Sequence, residues 1–132
     1  MDKTTRNFTI AWLGGIPIAI INAAIRNYIF QPYTGELLAH QLSSATMIII
    51  FAVYLGLLNQ RWPMKTEKQA AIIGIIWLVL TIIFEFLFGH YIMGHPWSRL
   101  LADYNIFTGR LWSFVLLWTA IGPYVIYRMA QR

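Results

Sequence analysis

Polar and apolar residues lie in long blocks along this chain rather than alternating. Asn7–Ile25 holds 19 uncharged residues before Arg26, and Gln41–Gln60 holds 20 before Arg61. Gln69–Phe84 adds 16 before Glu85, with Phe86, Leu87 and Phe88 prolonging the apolar character. Leu111–Tyr127 adds 17 between Arg110 and Arg128. A helix crosses the hydrocarbon core in roughly 20 residues, and a backbone surrounded by lipid must bond to itself. Blocks of this length therefore predict helices, and the alternating runs of a barrel are not seen. The pattern predicts an all-α polytopic membrane protein, a single domain over 1–132. It is a four-transmembrane-helix bundle with spans at 8–27, 37–59, 69–88 and 108–127.

The ends of the blocks carry start and stop signals. Thr66, with Gln69 three residues on, has the spacing of a capping box for the third helix. Thr34 precedes Gly35 and Glu36, which places an acid in the first turn of the second helix. Pro96 suits the first position of a short helix over 96–104, in which Trp97, Leu100, Leu101 and Tyr104 recur at roughly helical spacing. That segment is expected either as a helix lying on the bilayer surface or as a loop with apolar anchors. Gly14-Gly15-Ile16-Pro17 in the first span and Gly122-Pro123 in the fourth predict kinks or local unwinding. Membrane helices use such residues for close packing, and transporters use them in broken-helix sites.

Composition supports the membrane reading. The chain is 58% hydrophobic and 11% charged, against about a quarter charged in soluble domains. It contains no cysteine, which excludes thiol nucleophiles, disulfides, iron–sulfur clusters and Cys-based zinc sites. Lys3 and Arg6 before an apolar run imitate a signal peptide, but no cleavage site follows, so an uncleaved first span is expected. The net charge of +5 comes from dispersed basic residues, which argues for membrane orientation rather than nucleic acid. With four crossings, Lys3, Arg6, Arg61, Lys65, Lys68, Arg128 and Arg132 share one side, and Arg26, Arg99 and Arg110 lie on the other. The positive-inside rule then predicts cytoplasmic N- and C-termini.

Nearly all unusual side chains fall toward the outer half. The binding candidates are Glu85, Arg26, Glu36, His40, Asp103, Arg110 and Asn22. Glu85 stands out, because a carboxylate inside a span is expensive and must be paired, protonated or turned to a cavity. It reads either as a proton- or cation-binding group or as a partner of Arg26 or Arg110 that fixes helix packing. His40, His90, His95 and Glu85 also form a weak candidate metal set of N and O ligands. The alternative is three interfacial histidines in ordinary hydrogen bonds. No spacing matches a known zinc motif, no serine nucleophile is singled out, and no cofactor is implied.

The run Phe84–Trp112, FEFLFGHYIMGHPWSRLLADYNIFTGRLW, resembles a group of small four-span bacterial inner-membrane proteins of unknown function. INAAIRNYI in the first span and GELLAHQLS at the entry to the second resemble the same group. The resemblance implies a bacterial inner-membrane location and no activity. The expected function is a small transporter or channel with an outward-facing polar site. Four helices enclose little volume, so a homo-oligomer, such as a dimer, is expected. The alternatives are an accessory or scaffold subunit bound to a membrane-protein partner, and a lipid-modifying enzyme at the outer interface.

Overall fold

The computed structural model describes residues 2–92, 94–102 and 112–131. Among them there are helices and no strands. Four helices are long and apolar enough to cross a membrane: Lys3–Thr34, Glu36–Arg61, Glu67–Ile92 and Ser113–Ala130. The first begins and ends beyond the charge-bounded block, because Lys3, Arg6 and Arg26 are accommodated at its two ends.

That first span is a succession of helical pieces. Helix α1 (Lys3–Ala11) starts at Asp2, whose Oδ1 accepts the Thr5 N–H at 2.7 Å. A 3-10 turn over Trp12–Gly14 leads into α2 (Gly15–Ile25). The irregularity expected around Gly14–Pro17 takes the form of this 3-10 turn, and Pro17 falls in the first turn of α2, where a missing N–H is tolerated. A π-helical turn, Arg26–Phe30, and the short α3 (Gln31–Thr34) complete the span.

Gly35, at φ 83°, makes the reversal into α4 (Glu36–Arg61), a conformation that costs glycine little. Glu36 occupies the first turn, as its spacing predicts. Thr34 is not the cap, however; its hydroxyl donates back to the Phe30 carbonyl. Helix α5 (Glu67–Leu87) begins with the predicted cap, Thr66 Oγ1 accepting the Gln69 N–H at 3.0 Å. The return half of the box is displaced by one residue, since Gln69 Oε1 accepts from Lys65 N–H. A second π-helical turn, Phe88–Ile92, ends this span. Of the surface segment 96–104, Trp97–Ala102 forms helix α6, and residues 103 and 104 lie outside the described residues. Helix α7 (Trp112–Ala130) carries Pro123 in its interior; residues 108–111 of the predicted fourth span lie outside the described residues.

The helix faces sort by period. In α4 the i, i+4 row Ala39, Ser43, Met47, Phe51, Leu55 and Asn59 is buried, whereas Ala45, Ile49, Val53 and Leu57 are exposed. In α5 Ala70, Ile73, Gly74 and Trp77 are buried, and Ile75, Val79, Ile83 and Leu87 face outward. Serine and asparagine inside with isoleucine and valine outside reverses the soluble pattern and suits a lipid environment. Helix α5 packs along α7, and α4 also lies against α7. A Cβ on Gly74 would run into the Ala120 backbone, so glycine sets the closest helix approach.

One end of the bundle is tied shut. Asp2 Oδ1 also accepts from Gln69 Nε2 at 3.0 Å, and Asn59 Oδ1 caps the Met64 N–H at 2.8 Å. The backbone and side-chain hydrogen bonds from Thr5 hold the Asp2 carboxyl below its ordinary range. Arg128 pairs with Glu67 at 2.6 Å, and the indole of Trp77 donates to the Phe8 carbonyl at 2.9 Å. These contacts place both ends of the described chain beside the 62–66 turn. Phe8, Leu55, Met64, Ala70, Ile73 and Trp77 form the packed core immediately beneath.

Candidate functional site

A cavity of about 280 Å³ occupies the opposite half of the bundle, between the first three spans and α7. Its lining follows helical rows. Trp77, Thr81, Glu85 and Gly89 descend the third span at intervals of four, and Asn22 and Arg26 do the same on the first. Residues four apart lie on one face, so each row presents its polar groups to the same space. Asn22 is one turn, about 6 Å along the axis, deeper than Arg26. His40 enters from α4 and His95 from the segment after the second π turn.

The structure thus brings together Asn22, Arg26, His40, Glu85 and His95 from the sequence candidates. Glu36 is exposed and does not line the cavity. His90 is also outside the lining: its Nδ1 lies 2.9 Å from the His95 carbonyl, and its ring stacks on Trp97 at 3.8 Å. It therefore pins the turn that delivers His95, a structural job for one of the three histidines. Asp103 and Arg110 lie outside the described residues. Among the described residues, no three His, Cys, Asp or Glu side chains are grouped to hold a metal ion. Of the set His40, His90, His95 and Glu85, the turn directs His90 onto Trp97, and the other three line the cavity.

The walls include six aromatic side chains, Trp12, Phe51, Trp77, Phe84, Phe86 and Phe88. Phe51 and Trp77 meet edge to face at 6.2 Å, and Trp12 meets Phe84 likewise at 6.0 Å. Trp77 belongs both to the lining and to the packed core, so the cavity ends on that core. The Trp12 indole donates to Thr81 Oγ1 at 3.0 Å, linking the 3-10 turn of the first span to the third.

Asn22 is the most deeply buried polar residue of the lining, with 4% of its surface exposed. Its Nδ2 donates to the Ser43 carbonyl at 3.2 Å and to Ser43 Oγ at 2.7 Å. A carbonyl only accepts, so the amide orientation is fixed by the first of these bonds. Oδ1 accepts no hydrogen bond among the described residues and is closed to solvent. An orphaned acceptor of this kind costs about 1–3 kcal/mol.

Both π turns border this cavity. Arg26 and Asn27 come from the first, and Phe88 and Gly89 from the second. Such turns cluster at functional positions because they re-aim side chains out of helical register. Sequence reasoning missed them, and it missed Thr81 and Ser43 as partners across helices. For Thr81 the signal was present: it stands one turn from Glu85 on the Trp77 face.

No family model, curated protein or solved structure matches this chain.

Proposed function

We propose that this protein is a small membrane transporter whose substrate site is the cavity between its first three spans. The observation that carries this reading is the convergence of Asn22, Arg26, His40, Glu85 and His95 on one space inside the bundle. Polar and ionisable groups inside a span are costly and mark solute or proton pathways. Here the cavity sits beside irregular turns in two spans, and the opposite end of the bundle is packed. That arrangement suits a protein open at one face and closed at the other. Glu85 is assigned the proton- or cation-coupling role, as the acid that lines the cavity within the third span.

The basic-residue count places both termini in the cytoplasm and the cavity toward the outer face. The resemblance to four-span bacterial proteins implies a bacterial inner-membrane location. A homodimer or larger oligomer would supply the enclosed path that four helices leave incomplete.

The test is proton movement into dye-loaded proteoliposomes while a panel of small solutes is supplied outside. Wild-type protein should show solute-dependent proton entry, and Glu85→Gln should lower it at least tenfold without changing thermal stability. Loss of folded protein in step with flux would return Glu85 to a packing role. No response to any solute, with a stoichiometric partner retained on purification from native membrane, would favour an accessory subunit.

A further inference from the structure

The depth, charge balance and hydrogen-bonding state of the cavity define the chemistry of its occupant. The deep end offers an acceptor: Asn22 is held through its Nδ2 by Ser43, so only its carbonyl oxygen remains to be satisfied. Apolar and aromatic side chains, among them Met47, Phe51 and Val115, line the same cavity. Among the described residues the formal charges of the lining, Arg26 and Glu85, sum to zero with the histidines neutral. A bare cation or anion brought to this depth would gain no net countercharge while losing its water. A neutral molecule loses much less.

We propose that the cavity binds a small uncharged molecule with a flat apolar body and one N–H or O–H donor, and that the donor bonds to Asn22 Oδ1. This deepens the transport reading by naming its substrate class, and it rests on that reading only for the claim that the molecule is moved. The oxygen is covered on the cavity side as well as from outside, so an entering ligand must part the surrounding side chains to reach it. In return it makes a hydrogen bond that no described protein group supplies. A ligand of the same shape without the donor leaves the oxygen unmet. Sites built around a buried polar group reject such analogues strongly, whereas apolar walls alone distinguish near-isosteres poorly.

The experiment is equilibrium binding to the full-length protein in detergent, read by isothermal titration calorimetry, with two matched pairs of probes. These are phenol against anisole and indole against N-methylindole. In wild-type protein the donor-bearing member of each pair should bind at least tenfold more tightly. Asn22→Leu should equalise the members of each pair. Equal affinities within both pairs in wild-type protein would overturn the proposal, as would binding of none of the four. A preference unchanged in Asn22→Leu would overturn it too. The wild-type comparison needs no variant to fold. Preference at Asn22 together with an absence of flux would uphold this site while defeating the transport reading.

Discussion

The Tyr54 hydroxyl donates to the Ala11 carbonyl at 2.6 Å, across the contact between α4 and the first span. The reason lies in the 3-10 turn. Gly15 directs its N–H to the Leu13 and Trp12 carbonyls, so Ala11 loses its helical partner four residues on. Tyr54 replaces it, and its ring comes so close to Gly14 that a Cβ there would collide with the hydroxyl. Tyr54→Phe should lower stability by about 1 kcal/mol, the net worth of one such bond, while Gly14→Ala should cost more by displacing the ring. Thermal unfolding in detergent measures both; equal stability of Tyr54→Phe and wild type would show that Ala11 finds another donor. Glu85 and Asn22 were legible in the sequence because each interrupts an apolar block. Ser43 was not, and Thr81 was marked only by its place one turn from Glu85. Helical hydroxyls commonly satisfy themselves on the carbonyl four residues back, as Ser44 does on His40 and Thr119 on Val115. Composition does not distinguish those from hydroxyls that reach another helix.

At the level of elements, charge spacing revealed the four spans because the cost of burying a charge is local and large. Register changes are another matter. The two π turns, Arg26–Phe30 and Phe88–Ile92, both supply residues to the cavity lining, and neither RNYIF nor FGHYI carries a proline that marks a change of register. Glycines divide in the same way. Gly74 abuts the Ala120 backbone, where nothing can yield, whereas a Cβ on Gly56 in α4 would meet nothing within 4 Å. Gly74→Ala should therefore force α5 away from α7 and destabilise the protein by roughly 2 kcal/mol or more, as overpacking does. Gly56→Ala should leave stability unchanged or raise it by about 0.5–1 kcal/mol through helix propensity. Similar unfolding midpoints for the two variants would mean that α5 and α7 are not held at this distance. The two positions are indistinguishable as letters in an apolar run; only their neighbours separate them.

Across the whole molecule the two ends differ in charge and in packing, and the two differences coincide. The closed end carries the Asp2–Gln69 and Arg128–Glu67 contacts together with Lys65 and Lys68. The cavity end holds Arg26, Glu85, His40 and His95. The sequence separated these groups by side but did not say which would meet: Glu36 and His90 belong to the right half and miss the cavity. If basic residues select the cytoplasmic face, the cavity opens outward, and this is directly measurable because the chain has no native cysteine. Single cysteines at exposed Tyr33, beside the cavity end, and at exposed Lys68, beside the closed end, serve as reporters. In intact cells a membrane-impermeant maleimide should label Tyr33→Cys and spare Lys68→Cys; permeabilisation should expose the latter. The reverse pattern would turn the cavity toward the cytoplasm and recast the proposed substrate as one taken from inside the cell. Equal partial labelling at both positions would indicate two orientations in one membrane. The surplus of basic residues at the closed end acts against that outcome, and neutralising Arg61, Lys65 and Lys68 together should bring it about.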